Sequence, residues 1–335
     1  MNKFFELSFD DQRRVLQQAS ARCGLPPQAI EKDLWVSNIL QIVFDLPFAD
    51  KLIFKGGTSL SKVWHLIERF SEDIDLAVDR SLFGFEGDLT KKQIKKLRKA
   101  SSLFVKDTFC PALQEAVEKY GLQDFCKIES EPDGEGDSTY PEPRKIFVRY
   151  KSAWAEPSEY LSPIVMLEIG ARSLLEPNEQ THINSMVEGV FPTIQTTIVD
   201  SKVATALASK TFLEKVFLLH ELFSVEGRGV IAGRKSRHLY DLSRMMDKDF
   251  ALAAIKDDEL WESIRHHREI FTSISGMDYT PDIRRRIVLV PREDIRSAWE
   301  ADYKSMCSSM IFGEKPSFIE LIENMKVLED RFHRF

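Results

Sequence analysis

Residues 54–76 read FKGGTSLSKVWHLIERFSEDIDL, and this stretch decides the fold. An apolar run, Leu52, Ile53 and Phe54, meets Gly56-Gly57; a helical pattern follows; Asp73 and Asp75 then stand two residues apart in a second apolar run. Residues at spacing two on a strand point to one face. The two carboxylates can therefore converge on one site, and oxygen ligands of this kind suit a hard divalent cation. Glycine lets the backbone turn sharply and approach a ligand closely, and the N–H groups of the helix behind it form an anion site aimed at phosphate. Alone, a strand–Gly-Gly–helix junction is commonly a tight turn, and Asp-x-Asp a solvated strand end. Together, with carboxylates in an apolar strand where an unpaired charge is costly, they favour a site for a nucleotide and its metal. The loop fits neither GxxxxGK[ST] nor GxGxxG.

Working outward, Ser8 is placed to cap a helix running through Arg22, with Gly24 just past its end. Pro26-Pro27 start a second helix with Ile30, Leu34, Ile39, Leu40 and Val43 on a periodic face. Leu52 to Lys55 reads as a short strand, and Leu60, Val63, Trp64 and Ile67 as the packed face of the helix after the glycines. A helical segment from Thr90 to about Tyr120, interrupted near Pro111, opens with Lys91, Lys92, Lys95, Lys96, Arg98 and Lys99, a patch able to meet a phosphate backbone. Residues 131–143 form a loop, and strands follow at 145–150 and 163–169. In the second, Glu168 faces away from Val165, Leu167 and Ile169. It is either a third carboxylate for the site or a charge compensated by Arg149 or Arg172.

After about Asp200 the pattern becomes almost wholly helical. Residues 201–223 read as one long helix or two abutting ones, with Lys215 beside the stripe of Phe212, Val216 and Leu219. His220 reads as a packed histidine, since no second ligand lies at helical spacing. Residues 226–235 are a glycine-punctuated basic loop. Arg237 and Asp241 share a helix face at spacing four, where a local ion pair is the simple alternative to a site. The run RRRIVLVP, residues 284–291, is strand-like and basic.

The chain has 335 residues, 43% hydrophobic and 30% charged, enough for one large or two moderate domains. No run approaches a membrane span, and the N-terminus lacks a signal peptide's apolar core. The scattered Cys23, Cys110, Cys126 and Cys307 form no CxxC pair and read as reduced thiols, so a cytoplasmic location is expected. A net charge of −7 argues against a protein coated by nucleic acid while leaving room for a local basic patch.

Lys55-Gly56-Gly57-Thr58-Ser59-Leu60 followed by Arg69-Phe70-Ser71-Glu72-Asp73-Ile74-Asp75-Leu76 resembles the signature of the AbiEii/AbiGii (MenT-like) toxin nucleotidyltransferases, a branch of the DNA polymerase β-like superfamily linked to phage defence. Further matches occur in the family's order: Glu31-Lys32-Asp33, Leu167-Glu168-Ile169-Gly170, Thr211-Phe212-Leu213-Glu214-Lys215 and Arg237-His238-Leu239-Tyr240-Asp241-Leu242. The resemblance implies an α+β fold: a polymerase β-like core, a mixed sheet flanked by helices, over residues 1–200, and a mainly helical region over 201–335. It further implies transfer of a nucleoside monophosphate from an NTP to an acceptor, with Mg²⁺, or Mn²⁺ in its place, on Asp73, Asp75 and Glu168. Lys55, Gly56, Gly57, Thr58, Ser59, Arg69, Ser71, Lys215 and Arg237 would then bind the nucleotide, with Lys215 and Asp241 in the catalytic set beside the three acids. At the level of substrate it implies an RNA acceptor such as a tRNA 3′ end and a cognate antitoxin, with no membrane partner. A metal-dependent phosphohydrolase or nuclease, or a nucleotide-binding regulator without turnover, remains the alternative.

Overall fold

A computed structural model describes residues 4–154 and 161–335. The chain divides into two compact units. The first comprises residues 1–63 and 70–206, the second residues 64–69 and 207–335.

The first unit is built on a mixed sheet of seven strands among the described residues. In chain order they are β1 (Leu52–Lys55), β2 (Ile74–Val78), β3 (Cys126–Ser130), β4 (Arg144–Tyr150), β5 (Ile164–Gly170), β6 (Asn178–Thr181) and β7 (Val203–Ala206). Their order across the sheet is β3-β4-β5-β2-β1-β7-β6. β2 lies antiparallel to β1 and parallel to β5, and β1 runs parallel to β7. The central strands bury one row of side chains, including Phe54, Leu76, Ile146, Leu167 and Ile169, in the core.

Helix α1 (Phe9–Cys23) is capped by Ser8, whose hydroxyl accepts from the Asp11 N–H, and ends at Gly24 with φ 70°. Helix α2 (Pro27–Val43) departs from the amphipathic expectation. Every residue from Ala29 to Val43 is buried, so it is a core helix whose polar residues need partners inside the protein. Helix α3 (Gly56–Lys62) is shorter than its apolar spacing suggests. His65 takes φ 50°, which helix geometry does not allow, and Trp64–Arg69 joins the second unit. The expected break near Pro111 is a π-helical turn, Val105–Phe109, between α4 (Lys91–Phe104) and α5 (Cys110–Lys119). Proline has no N–H to return to the preceding turn, which favours such a shift in bonding. A short helix α6 (Met186–Val190) completes this unit.

The reading of residues 201–223 as helix is corrected at its start. Val203–Ala206 is strand β7, fully buried and paired with β1 through Phe54 and Thr205. Alanine favours helix, but sheet pairing overrides so short a propensity signal. The second unit is helical as expected: α7 (Ala208–Ser224), α8 (Arg237–Met245), α9 (Asp249–Ala254), α10 (Asp258–Phe271), α11 (Glu293–Ser309) and α12 (Phe318–His333). The strand-like run at 284–291 is not a strand. It continues a 3₁₀ turn (Pro281–Arg286), and side chains replace a sheet partner: Val288 N–H donates to His220 Nδ1, and Leu289 and Val290 N–H donate to Glu329. His220 is thus a packed acceptor, and burial pushes its pKa down to about 4.

Candidate active site

In the first unit β1 delivers the chain into Gly56, which has φ 79°. A Cβ built there would lie 2.0 Å from Asp75 Oδ2, so only glycine lets this backbone rest against the Asp75 carboxylate. The turn is fastened from both sides. Ser59 Oγ donates to the Gly56 carbonyl (2.8 Å), and Thr58 Oγ1 lies 2.5 Å from the Asp73 carbonyl oxygen and 2.9 Å from Ser71 Oγ. Thr58 and Ser59 are buried, with their hydroxyls committed to the turn itself. The first N–H groups of the helix are therefore the polar groups of this turn that its own hydroxyls do not engage, and Lys55 at the helix N-cap provides no side-chain cap for them.

Asp75 is the second residue of β2, whereas Asp73 stands one residue before the strand begins. Register sets the neighbours of Asp75. Lys55 lies opposite on β1, Glu168 lies opposite on β5, and Lys145 of β4 lies opposite Glu168. Residues in register present their side chains to the same face. Lys55, Asp75, Glu168 and Lys145 therefore form one lateral row across four strands, two acids flanked by a cation at each end. All four are partly exposed, while the opposite face is core. Lys145 Nζ is 3.3 Å from Glu168 Oε1. The compensating charge for Glu168 is thus Lys145: Arg149 pairs with Glu129 at 3.2 Å, and Arg172 pairs with Glu142.

Among the described residues no three His, Cys, Asp or Glu side chains close on a common point to hold a metal. That does not disfavour Mg²⁺, which is usually held by one or two carboxylates together with substrate phosphates and water. Asp75 and Glu168, in register on adjacent strands and partly exposed, suit that mode.

The second unit gathers another set. Arg69 grips Asp241 with two hydrogen bonds, Nε to Oδ1 at 2.6 Å and an NH2 contact to Oδ2 at 2.8 Å. Lys215 Nζ lies 2.9 Å from Asp241 Oδ2 and 3.3 Å from His238 Nδ1. Arg69, Lys215, His238 and Asp241 are all buried. Burial works to raise the Asp241 carboxyl, but the charges of Arg69 and Lys215 outweigh it and hold it far below the usual carboxylate range. Burial lowers the Lys215 ammonium against the pull of Asp241, with Arg69 and Arg237 adding to the lowering. His238 is pushed well below its ordinary value by burial and then by Lys215 and Arg237, so its imidazole is neutral and Nδ1 can accept from Lys215. The simple alternative for Asp241, a local pair with Arg237, gives way to a partner 172 residues distant.

The three basic clusters of the sequence, Lys91 to Lys99, residues 226–235 and Arg284 to Arg286, differ in what their charges meet. Lys91, Lys92, Lys95, Lys96 and Lys99 are exposed on α4, where Lys99 also lies 5.1 Å over the Tyr140 ring. In the 226–235 loop, backbone is tied to α11: Trp299 Nε1 donates to Gly229 O (2.7 Å), and Asp302 accepts from Arg234 N–H (2.6 Å) and Ser236 N–H (3.0 Å). Arg284 and Arg286 are neutralised by Asp258, Asp278 and Asp282, and Arg285 donates to the Phe335 carbonyl.

A family model described as nucleotidyl transferase AbiEii toxin, type IV TA system, matches residues 38–324. A search of curated proteins finds no match. Among solved structures the chain is similar to MenT4, a nucleotidyltransferase toxin from Mycobacterium tuberculosis H37Rv, with a TM-score of 0.47 and 14% identity over 97% of this chain and 98% of that one. No described helix is long and apolar enough to cross a membrane.

Proposed function

The chain belongs to the AbiEii family of nucleotidyl transferase toxins and is a nucleotidyltransferase; from that premise we propose that it moves a nucleoside monophosphate from an NTP to the 3′ end of an RNA, a tRNA foremost. The observation that carries this reading is the row of Lys55, Asp75, Glu168 and Lys145, with the Gly56 backbone lying against Asp75. Acids in register on adjacent strands beside a glycine turn, flanked by lysines, suit a polyphosphate carried with its cation.

Asp73, Asp75 and Glu168 would hold Mg²⁺, or Mn²⁺, which supplies charge neutralisation on the phosphates and Lewis acidity when bound. The backbone N–H groups at Gly56 and Gly57 would receive the β and γ phosphates, and Lys55 offsets their charge. Thr58, Ser59 and Ser71 act from behind, keeping the turn and the segment entering Asp73 fastened to each other. Lys215 and Arg237 are assigned to nucleotide recognition. Asp241, itself gripped by Arg69, fixes the Lys215 ammonium in place. Nucleotidyl transfer needs little covalent chemistry from the protein beyond such positioning and charge stabilisation.

The lysines of α4 give an acidic protein a local surface for RNA. Modification of tRNA ends would block translation in the cytoplasm, the expected outcome for a toxin of a phage-defence or toxin–antitoxin system, with a cognate antitoxin to restrain it. Incubating the protein with Mg²⁺, total RNA and each labelled NTP in turn tests the reading. A transferase lengthens an RNA and releases pyrophosphate. An RNA that is shortened makes the protein a nuclease, and an intact, tightly bound NTP makes it a regulator.

A further inference from the structure

Glu31, Lys32 and Asp33 follow one another in α2 and are only 3%, 3% and 4% exposed. Ionisable groups at this depth are tolerated only when each finds a partner. Consecutive helix positions point about 100° apart, so these three reach three different directions. Glu31 accepts from Ser152 Oγ and from the Ala153 N–H, both at 2.6 Å. Lys32 Nζ lies 2.5 Å from Glu72 Oε2 and donates to the Ser162 carbonyl at 3.2 Å. Asp33 pairs with Lys62 and accepts from the Met186 N–H at 2.7 Å.

The segments they hold are those of the candidate site. Glu72 immediately precedes Asp73, Ser162 lies two residues before β5 and its Glu168, and Lys62 closes the helix that the glycine turn opens. One turn of a core helix thus grips the glycine helix, the approach to Asp73 and the approach to β5. Stability alone gives little reason for such a choice, because a buried ion pair is often no more stabilising than apolar residues of the same volume. A pair whose partner carries the adjacent aspartate has geometric consequences that apolar packing lacks.

We propose that Lys32 is a positioning residue for nucleotidyl transfer: the β2–β5 ladder already fixes Asp75 beside Glu168, and by holding Glu72 and the Ser162 carbonyl together Lys32 sets where Asp73, one residue before the ladder, stands relative to that pair, and with it the affinity of the acids for a divalent cation. The Asp33–Lys62 pair steadies the glycine helix from its far end. This rests on the reading of Asp73, Asp75 and Glu168 as cation ligands.

The test uses the full chain, with Mn²⁺ binding followed by electron paramagnetic resonance beside a non-hydrolysable NTP analogue, Mg²⁺ activation curves, and melting temperature. Lys32→Met should weaken Mn²⁺ binding and raise the half-saturating Mg²⁺ concentration by tenfold or more. Lys32→Arg, which keeps the pair, should stay within threefold of the wild type. The double variant Lys32→Met/Glu72→Leu also removes the half-buried carboxylate whose lysine was lost, so much of the lost melting temperature should return while cation affinity does not. Should Lys32→Met fail to fold, this double variant and Glu72→Gln carry the comparison. Unchanged cation affinity in these variants, or affinity that recovers together with melting temperature in the double variant, would overturn the proposal and leave a purely structural pair. The underlying reading fails separately: Asp75→Asn with full Mg²⁺-dependent activity removes it whatever Lys32 does.

Discussion

Replacing Asp241 with asparagine removes one negative charge from a buried cluster at nearly constant volume. Arg69 and Lys215, held at 2.6–2.9 Å from its carboxylate, are then left facing each other. Breaking a buried pair by removing one partner typically costs about 3–5 kcal/mol. We expect Asp241→Asn to fall in that range at pH 7, partly offset because Lys215 can shed its proton. The pH dependence follows from two shifts. The Asp241 carboxyl is depressed in the folded state, so its contribution is fully present above about pH 4, the unfolded value, and is lost as pH falls through the folded one. The variant lacks this contribution at every neutral pH. The Lys215 ammonium is also depressed, by burial, so the unfolded chain binds more protons and stability rises with pH below the unfolded value near 10.4. Without Asp241 to oppose burial, Lys215 drops further in the variant, and this window opens at lower pH. The deficit of Asp241→Asn should therefore shrink between neutral and alkaline pH, by at most about 1.4 kcal/mol per unit. Lys215→Met leaves the Arg69–Asp241 pair charge-balanced and should cost less than about 1 kcal/mol or stabilise. Urea unfolding, with hydrogen exchange of α7 and α8 amides to report on the second unit, measures both. A loss below about 1 kcal/mol for Asp241→Asn at pH 7, or a larger loss for Lys215→Met than for Asp241→Asn, would refute this account of the cluster.

Other outcomes follow from the first unit. Gly56→Ala places a Cβ on Asp75 Oδ2 at a left-handed position and should lower turnover by more than about tenfold, worth about 1.4 kcal/mol, whereas Gly24→Ala, equally left-handed but with nothing within 4 Å, should cost about 1 kcal/mol of stability and no activity; equal activity in both would remove Gly56 from the site. Reversing Lys91, Lys92 and Lys96 to glutamate should raise the KM for RNA and flatten its salt dependence while leaving the KM for NTP nearly unchanged. If wild-type RNA binding shows no salt dependence, α4 is not the acceptor surface.

Much of the local architecture is legible in the chain because its signals are local. Ser8 and Gly24 bracket α1, and Leu52 to Lys55 is a strand bounded by glycine. The remainder depends on pairing between distant segments. Val203–Ala206 joins the sheet because distant segments offer it partners, β1 in parallel and β6 antiparallel, and nothing in four small and branched residues distinguishes it from the start of α7. Lys145 compensates Glu168 through antiparallel register, which the sequence does not reveal, so a reading of the sequence points to Arg149 or Arg172 instead. Glycine at 56 signals a turn, yet its contact with Asp75 comes from strand pairing. The α3 helix stops early because His65 turns into a left-handed conformation that apolar spacing does not reveal. Arg69 and Asp241 meet across 172 residues, where spacing-four reasoning finds only Arg237.

The most direct test counts pyrophosphate released against nucleotide added to RNA 3′ ends in one reaction, by sequencing tRNA ends after incubation with Mg²⁺ and each NTP, for wild type and Asp75→Asn. Metal-dependent nucleotidyl transfer at the β1–β2–β5 row requires one pyrophosphate per added nucleotide in the wild type. Both quantities should vanish with chelator and fall by at least about 100-fold, some 2.7 kcal/mol, in Asp75→Asn. Extension that persists in Asp75→Asn, or RNA that shortens without pyrophosphate release, would contradict it.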